Sequence, residues 1–225
     1  YYVENGQINW HYQGLVYCNK EWYYIKNGVH QTNYSSLVLY NGTWYYVKNG
    51  KIDWCYTNLV QYHGTWYFVE NGKINWGKNT LSQVDGHGTW YYIENSQINW
   101  HYTGLTQYFG TWYYIQNGAL NWSYNGLVHY HGTWFYVHNG QIDWNYSNLV
   151  LYNGTWYYVE NGKIDWNKIT LSQVDGHGTW YYVENGVLNW NYTGLTKYYS
   201  TWYYVENGYL DWNFNDLILN DGTWY

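Results

Sequence analysis

The sequence predicts an all-β fold, a β-solenoid of about ten stacked β-hairpin repeats of 22–24 residues each. A block close to Gly-Thr-Trp-Tyr-Tyr-Val recurs at nearly constant spacing, an Asn-Gly pair follows it, and the residues on both sides of that pair alternate as in strands. A regular repeat of this length indicates units that bury their apolar surface only by stacking on their neighbours. The leading Trp of the block stands at Trp22, Trp44, Trp66, Trp90, Trp112, Trp134, Trp156, Trp180, Trp202 and Trp224.

One copy of the block illustrates the predicted hairpin. Trp44–Lys48 and Lys51–Cys55 are rich in aromatic and β-branched residues, which favours strands. Asn49-Gly50 between them predicts a type I′ turn, because that turn needs positive φ at both central positions. The Gly recurs in every copy but one, where Ser96 is expected to strain the turn by about 1 kcal/mol.

A two-residue turn sets the register of the predicted hairpin. Val47 is then expected to face Ile52, and Tyr45 to face Trp54, on the face that neighbouring repeats bury. Trp44 is expected to point to the opposite face. The block therefore predicts two classes of Trp, a buried one like Trp54 and one like Trp44 that is available to a ligand or to the next repeat.

The segment between hairpins is predicted to be a linker with one constant apolar position. That position is Leu in every copy, seven residues before the next leading Trp in the 22-residue copies and nine before it in the longer ones. One apolar residue per repeat at a fixed slot predicts a ladder of Leu side chains in the core. Its members are Leu15, Leu37, Leu59, Leu81, Leu105, Leu127, Leu149, Leu171, Leu195 and Leu217.

The whole chain, residues 1–225, is predicted to be a single repeat array. Two copies are longer by two residues, and their segments 78–88 and 168–178 match each other at an offset of 90 residues. A duplicated block of four repeats, about 46–135 and 136–225, accounts for this match. The Asp-Gly-His-Gly loops that begin at Asp85 and Asp175 are either a functional feature of every fourth repeat or a variation inherited by duplication.

Composition and charge argue against several classes of function. Aromatic residues make up 26% of the chain and would stack on bases, but the formal charge of -6 argues against nucleic acid as a partner. No apolar run approaches the roughly 20 residues of a membrane span, so membrane insertion is not expected. The chain opens in mid-repeat, which predicts a mature fragment of a longer protein.

The side chains that usually carry catalysis or metal binding form no distinctive set. Cys18 and Cys55 occupy different slots of the repeat, so free thiols are expected. His129 and His131 are spaced as a pair on one strand face, but no third ligand is placed beside them, and no metal is predicted. Carboxylates recur with the scaffold, whereas catalysis needs one distinctive constellation. We therefore expect neither enzyme activity nor a cofactor.

The aromatic side chains are the candidate ligand-binding residues. A sugar ring can stack its C–H face on Trp or Tyr, while neighbouring polar groups bond its hydroxyls. The alternative is that the same aromatics fill the core of a thin solenoid. The candidates are Trp44, Tyr46, Trp66, Trp112, Trp134, Tyr136, Trp156 and Tyr158.

The run Gly-Leu-Val-x-Tyr-Asn-Gly-Thr-Trp-Tyr-Tyr-Val-x-Asn-Gly-x-Ile-Asp-Trp, repeated along the whole chain, resembles the cell-wall-binding repeats of Gram-positive bacterial surface proteins. That superfamily includes choline-binding repeats, glucan-binding repeats and the repeats of large clostridial toxins. The resemblance implies hairpins stacked into a superhelical solenoid, shallow ligand sites between successive hairpins, and extracellular, non-catalytic attachment. One departure is systematic. The Gly-Trp position that walls the aromatic cage of choline-binding repeats is Leu here, and an additional Trp lies five residues earlier.

These observations predict a non-catalytic extracellular module, secreted or on a bacterial cell surface, that binds a cell-wall polymer or glycan through many weak, equivalent sites. Two alternatives are open. The repeats could form a structural stalk or fibre by end-to-end stacking of chains, since the open ends of a solenoid expose strand edges. They could instead be a host-glycan-binding adhesin or toxin domain, which differs from the first hypothesis only in its target.

Overall fold

The computed structural model describes residues 1–84, 88–174 and 178–225, and every regular element in these ranges is a β-strand. The predicted all-β class is therefore confirmed. The Asp-Gly-His triplets 85–87 and 175–177 of the two longer copies lie outside the described residues. The strands are β1 (Val3–Glu4), β2 (Gln7–Ile8), β3 (Gly14–Cys18), β4 (Glu21–Lys26), β5 (Val29–His30), β6 (Ser36–Tyr40), β7 (Thr43–Lys48), β8 (Lys51–Ile52), β9 (Asn58–Tyr62), β10 (Thr65–Glu70), β11 (Lys73–Ile74), β12 (Thr80–Gln83), β13 (Trp90–Glu94), β14 (Gln97–Ile98), β15 (Gly104–Tyr108), β16 (Thr111–Gln116), β17 (Ala119–Leu120), β18 (Gly126–Tyr130), β19 (Thr133–His138), β20 (Gln141–Ile142), β21 (Asn148–Tyr152), β22 (Thr155–Glu160), β23 (Lys163–Ile164), β24 (Thr170–Gln173), β25 (Trp180–Glu184), β26 (Val187–Leu188), β27 (Gly194–Tyr198), β28 (Thr201–Glu206), β29 (Tyr209–Leu210), β30 (Leu219–Asn220) and β31 (Thr223–Trp224).

The strands belong to two compact units. The first comprises Tyr1–Thr103 and Ile115–Leu120, and the second comprises Gly104–Tyr114 and Asn121–Tyr225. Within each unit a full repeat has one plan: a strand of four or five residues, a strand of five or six, and a strand of two, all antiparallel. The stacked β-hairpins of the predicted solenoid are present in both units.

The repeat formed by β6, β7 and β8 shows this plan and corrects one prediction. β6 pairs with β7 across Asn41-Gly42, and β7 pairs with β8 across Asn49-Gly50. The predicted positive φ is confirmed at Asn49 (51°) and Gly50 (77°), and Asn41-Gly42 has the same signs. The segment predicted to be a linker thus contains a strand, β6, because Asn41-Gly42 is a second hairpin turn flanked by alternating residues.

The third strand of the repeat ends earlier than predicted. Val47 lies opposite Ile52 as expected, but β8 stops there and does not continue to Cys55. The Asp53 carboxylate accepts the N–H of Cys55 at 3.1 Å, and the Asp53 carbonyl accepts the N–H of Tyr56 at 3.2 Å. These bonds reverse the chain, as Asp side chains do in Asx turns, so the residues after Ile52 leave the sheet.

The glycine in the last turn of each repeat also joins that repeat to the preceding one. Gly162 has a φ of 75°. It donates its N–H to the carbonyl of Tyr146 and accepts the N–H of Tyr136, each at 2.9 Å. A Cβ at this position would stand 2.6 Å from the carbonyl oxygen of Asp143. Because all three partners belong to the preceding repeat, both the turn and the contact favour glycine at position 162.

Ser96 is the serine that replaces this glycine in one copy. Its φ of 62° shows that the turn keeps the left-handed conformation, and the residue is fully buried. Its hydroxyl donates a hydrogen bond to the carbonyl of Asn75 in the preceding repeat. That bond offsets part of the cost of placing a side chain in this slot.

In the second unit, the hairpin of β18 and β19 buries both of its faces, one against each neighbour. In the second unit, Leu127 and Trp134 of one repeat pack on Val150, Val159 and Ile164 of the next. Alternate residues of β18 and β19 thus meet alternate residues of β21, β22 and β23. This burial stabilises hairpins that would be marginal alone in water.

The predicted Leu ladder is confirmed over most of the chain. Leu195 is only partly buried, and Leu217 is 68% exposed. The buried members are Leu15, Leu37, Leu59, Leu81, Leu105, Leu127, Leu149 and Leu171.

Closely packed tyrosine pairs lie at the joints between repeats. Tyr182 stacks on Tyr192 with ring centroids 3.8 Å apart, and Tyr114 lies 4.0 Å from Tyr124. Burial, with a smaller contribution from Glu184 and Tyr192, raises the pKa of Tyr182 to about 12. Burial likewise raises the pKa of Tyr124 to about 12. The folded chain therefore disfavours both phenolates.

Replacing Gly162 by Ala is expected to destabilise the second unit more than replacing Gly154 by Ala. Both glycines follow Asn in turns with positive φ, 75° and 82°, so each Ala costs about 1–2 kcal/mol for its left-handed conformation. Only at Gly162 does the new Cβ also collide with the preceding repeat, since no described atom lies within 4 Å of a Cβ at Gly154. Urea unfolding followed by Trp fluorescence measures both losses, and equal losses would contradict the role assigned to Gly162.

The stability of the folded chain is expected to fall between about pH 10 and about pH 12. An unfolded Tyr has a pKa of about 10, whereas burial raises the pKa of folded Tyr182 to about 12. The stabilisation is full below the unfolded pKa and is lost as the pH rises through the folded one. Tyr182→Phe should weaken this alkaline dependence in urea titrations, and the buried Phe68 at the same slot of another repeat indicates that Phe fits. Tyr17→Phe, at an exposed position, is the control, and the same change in both variants would refute the assignment.

Candidate functional site

Between successive repeats, four aromatic side chains surround a surface cavity. In the second unit they are Trp112 of one repeat and Tyr130, Phe135 and Trp144 of the next, around a cavity of about 370 Å³. β16 supplies Trp112, β18 and β19 supply Tyr130 and Phe135, and Trp144 lies in the turn after β20. We call such a set of four an aromatic box.

The rings of this box meet at steep angles. The centroids of Trp112 and Tyr130 are 5.4 Å apart with an interplanar angle of 63°, and those of Phe135 and Trp144 are 5.9 Å apart at 84°. Edge-to-face contact is a preferred arrangement of aromatic pairs. Since paired rings are steeply inclined, their faces point in different directions, and the box offers π-surface on several sides.

An ammonium group of the chain itself lies at this box. β19 pairs with β23 of the following repeat at Phe135 and Lys163, which brings the lysine to the cavity. Its Nζ lies 5.6 Å from the ring centroids of both Phe135 and Trp144. Aromatic faces attract cations within about 6 Å. The box therefore has the geometry and the electrostatics to hold a positive charge.

The first unit contains a box of the same kind. Trp22, Tyr40, Tyr45 and Trp54 line a cavity of about 310 Å³. Trp22 lies 5.5 Å from Tyr40, and Tyr45 lies 5.8 Å from Trp54. The same two ring pairs recur as Trp44–Tyr62 with Tyr67–Trp76, Trp134–Tyr152 with Tyr157–Trp166, and Trp180–Tyr198 with Tyr203–Trp212.

The two longer copies interrupt the series. Where the other boxes have a Tyr eighteen residues after the leading Trp, Trp66 and Trp156 have Val84 and Val174. Each valine joins the apolar cluster against which its Trp packs. At these two joints an aliphatic side chain thus replaces one aromatic wall.

The burial of the two classes of Trp is the reverse of the prediction. Trp54 contacts Tyr45 as predicted, but it is 47% exposed, because the chain leaves the sheet after Ile52. Trp44 is half-buried and packs on the cluster that contains Leu37. The second Trp of the repeat is therefore the exposed one.

The predicted candidate tryptophans are leading residues of their blocks, and the structure places them at the joints between repeats. Trp112 lines its cavity directly, as Trp22 does at the equivalent position in the first unit. All five predicted tryptophans are half-buried: Trp44, Trp66, Trp112, Trp134 and Trp156.

The three predicted tyrosines lie outside the two described box cavities. Tyr46 stacks on Tyr56 with centroids 3.9 Å apart, and Tyr136 makes the equivalent contact at 4.0 Å. The ring of Tyr158 faces the ammonium of Lys168 at 5.1 Å. These three side chains therefore contribute to the joints and not to those two boxes.

Sequence reasoning missed three members of the Trp112 box, namely Phe135, the Tyr before the leading Trp and the second Trp. The last two are Tyr130 and Trp144. A signal for both was present, since the Tyr recurs four residues before the leading Trp and the second Trp ten residues after it. What the sequence did not show was that members from two repeats meet.

The other reactive side chains of the described ranges form no further centre. Cys18 and Cys55 are free and exposed thiols. His131 packs edge-on against Tyr130. In the described part of the chain no group of three or more His, Cys, Asp or Glu could hold a metal ion. Nor does any described segment form a helix long and apolar enough to span a membrane.

The profile of the choline-binding repeat matches nine segments that together span most of the chain. No curated protein sequence matches the chain. The matched segments are residues 12–31, 33–53, 56–75, 84–99, 102–121, 123–143, 145–165, 174–189 and 191–211.

Solved structures of choline-binding proteins from Streptococcus pneumoniae are similar to this chain. Choline binding protein F, solved with a peptidoglycan analogue, is 17% identical over 95% of this chain and 90% of its own, with a TM-score of 0.36. CbpJ is 19% identical over 95% of this chain and 84% of its own, with a TM-score of 0.32. A further choline-binding domain from this organism is 30% identical over 39% of this chain and 94% of its own, with a TM-score of 0.24. These TM-scores are low, so the assignment rests on the repeat profile, by which the chain belongs to the choline-binding repeat family.

Proposed function

We propose that the chain is a non-catalytic module that attaches to a cell-wall polymer by binding choline groups in its aromatic boxes. The observation that carries this proposal is the Trp112 box, where Lys163 Nζ lies 5.6 Å from two ring centroids. Choline presents a quaternary ammonium, which aromatic faces bind by the same cation–π attraction. Its trimethylammonium group donates no conventional hydrogen bond, so a box lined mainly by rings and aliphatic side chains suits it.

The second Trp of the repeat accounts for the departure from the usual choline-binding pattern. In this repeat the Gly-Trp position is occupied by Leu149, which is buried in the core. Trp144, five residues earlier, brings its ring to the cavity instead. A wall of the cage is thus supplied from a different slot, which supports a quaternary ammonium ligand despite the Leu.

Repetition gives weak sites a useful combined affinity. A single shallow box is expected to bind choline with a Kd of roughly millimolar, comparable to the effective concentration that linked sites provide. A polymer that carries many choline groups occupies several boxes at once, so each later contact is favoured by the earlier ones. Such a module acts outside the cell, on a bacterial surface or as a secreted protein, where a wall polymer is accessible.

Choline is expected to bind the purified chain at several sites, and Trp144→Ala is expected to remove one of them. Trp144 is 43% exposed, so its loss should leave the fold intact while it opens one wall of the box. Isothermal titration with choline chloride measures the number of sites and the Kd. The control ligand is 3,3-dimethyl-1-butanol, which has the shape of choline without its charge. Equal binding of the two ligands, or no choline binding, would contradict a cation–π site.

Lys163→Gln is expected to strengthen choline binding at the Trp112 box about two- to five-fold, since an exposed cation–π contact is worth about 0.5–1 kcal/mol. The Lys163 ammonium lies over the rings that choline would contact. Gln141 occupies the same slot of the preceding repeat, so Gln should be tolerated. Lys48→Gln makes the same charge change at an exposed residue of the first unit. An equal gain in both variants would assign the effect to net charge and not to the box.

A further inference from the structure

A cavity of a different kind lies beside the second of the two longer copies. It is an open surface cavity of about 540 Å³, and its lining includes Glu160, Lys168, Gln173, Lys197 and Tyr199. All of these residues belong to the second unit. The aromatic boxes are lined mainly by rings and aliphatic side chains, whereas this cavity combines charged, amide and hydroxyl groups with a few rings. Its chemistry therefore suits a polar ligand.

Lys168 occupies a slot that is aromatic in ordinary repeats. In the preceding repeat Tyr146 holds this slot and stacks on Tyr136 with centroids 4.0 Å apart. Lys168 instead places its ammonium 5.1 Å from the ring centroid of Tyr158 and 2.7 Å from a carboxylate oxygen of Glu160. The longer copy thus exchanges a ring for a charged pair at the wall of the cavity.

The charged pair can still form hydrogen bonds with a ligand. The side chains of Lys168 and Glu160 are 26% and 38% exposed. An ammonium has three donors and a carboxylate has about four acceptor positions, so one mutual hydrogen bond leaves most of them available. The other longer copy has the same pair, with Lys78 2.6 Å from Glu70 in the first unit. The feature therefore belongs to the longer copies as a class.

Tyr199 is a bulky residue at a position where folding favours a small polar one. It is the first residue of a hairpin turn, has a φ of 52° and is 87% exposed. In ordinary repeats the same slot is held by Asn41 and Asn153 or by His63 and His131, and Asn tolerates a left-handed φ better than Tyr does. Phe109, 90 residues earlier, is again aromatic, with a φ of 46° and 90% exposure. The Tyr199 ring contacts that of Tyr198, with centroids 4.5 Å apart, but it is too exposed to add to the core and leaves most of its surface available to a ligand.

We propose that this cavity binds a pyranose ring, a single glycosyl unit, separately from the choline groups that the boxes bind. Tyr199 stacks on the C–H face of the sugar. Glu160 accepts hydrogen bonds from its hydroxyls, and the ammonium of Lys168 donates to their oxygens. The amide of Gln173 lies on the same lining and adds a donor and an acceptor.

A sugar suits this cavity better than a second quaternary ammonium. A trimethylammonium group makes no conventional hydrogen bond with the donors and acceptors that line the site, whereas each hydroxyl of a sugar both donates and accepts hydrogen bonds. The cavity shares no residue with the Trp112 box, but Trp180 and Tyr198, a ring pair of another box, lie on its lining. The side chains assigned to the sugar, Glu160, Lys168, Gln173 and Tyr199, belong to neither box, so the inference rests on them and not on choline binding.

Saturation-transfer difference NMR on the full chain tests the site. The probes are glucose, galactose, N-acetylglucosamine and N-acetylgalactosamine, each added alone, with sorbitol as an acyclic polyol that lacks a ring face. We expect at least one of the four pyranoses to bind and sorbitol not to bind. Failure of all four to bind, or equal binding of sorbitol, overturns the proposal.

Three variants locate the bound sugar. Tyr199→Asn and Lys168→Tyr each restore a residue that ordinary repeats carry, so both should fold, and Glu160→Gln removes a charge at nearly constant shape. Each is expected to weaken sugar binding about ten-fold, the effect of losing one good ligand contact, while the choline titration stays unchanged. Trp144→Ala is the matched control, with loss of choline at one box and unchanged sugar binding.

The outcomes separate this site from the choline boxes. Sugar binding that is unchanged in all three variants overturns the proposal. So does a joint loss of sugar and choline binding, which would reflect damage to the fold. If the three variants weaken sugar binding but the chain does not bind choline, this site is supported and the proposed choline function is ruled out.

Discussion

The rest of the structure depends on the backbone hydrogen bonds that the last turn of a repeat makes with the preceding repeat, through a glycine in every copy but the one with Ser96. Gly162 donates to the carbonyl of Tyr146 and accepts from the N–H of Tyr136, each at 2.9 Å, and leaves no space for a Cβ beside Asp143. Because successive repeats dock through the same backbone bonds, the main chain sets their separation. The aromatic side chains then fill the space that this separation leaves.

The boxes follow from the way in which the hairpins stack. Leu127 and Val159 fill the centre of a joint, whereas Trp134 and Tyr152 meet nearer the surface with centroids 5.1 Å apart. The inner edge of a half-buried ring packs in the joint, while its outer part lines a cavity. One aromatic side chain can therefore both pack in the core and contact a ligand, although the sequence alone suggested that it would do one or the other. In the longer copies, Val174 replaces a box Tyr and a charged pair stands nearby, so one scaffold offers two kinds of lining.

Local rules predicted most of the fold. Asn49-Gly50 and the alternation around it located β7 and the start of β8, and placed Val47 opposite Ile52, because a two-residue turn determines its own register. The same rule, applied to Asn41-Gly42, also predicts β6. The sequence-based prediction omits this strand because it treats the block that begins at Trp44 as the whole hairpin. For the candidate site the rules did less, since they named Trp112 but not Tyr130, Phe135 or Trp144.

The sequence by itself determined the repeat length, the turns and the family, because these depend on spacing along the chain and on the φ that Gly and Asn tolerate. Only the tertiary structure decided which Trp is exposed. Trp54 leaves the sheet because Asp53 bonds back to the residues that follow it. Each box also joins residues 18 and 32 positions apart, as Trp22 meets Tyr40 and Trp54. No single hairpin contains such a set, so the site exists only when two repeats have stacked.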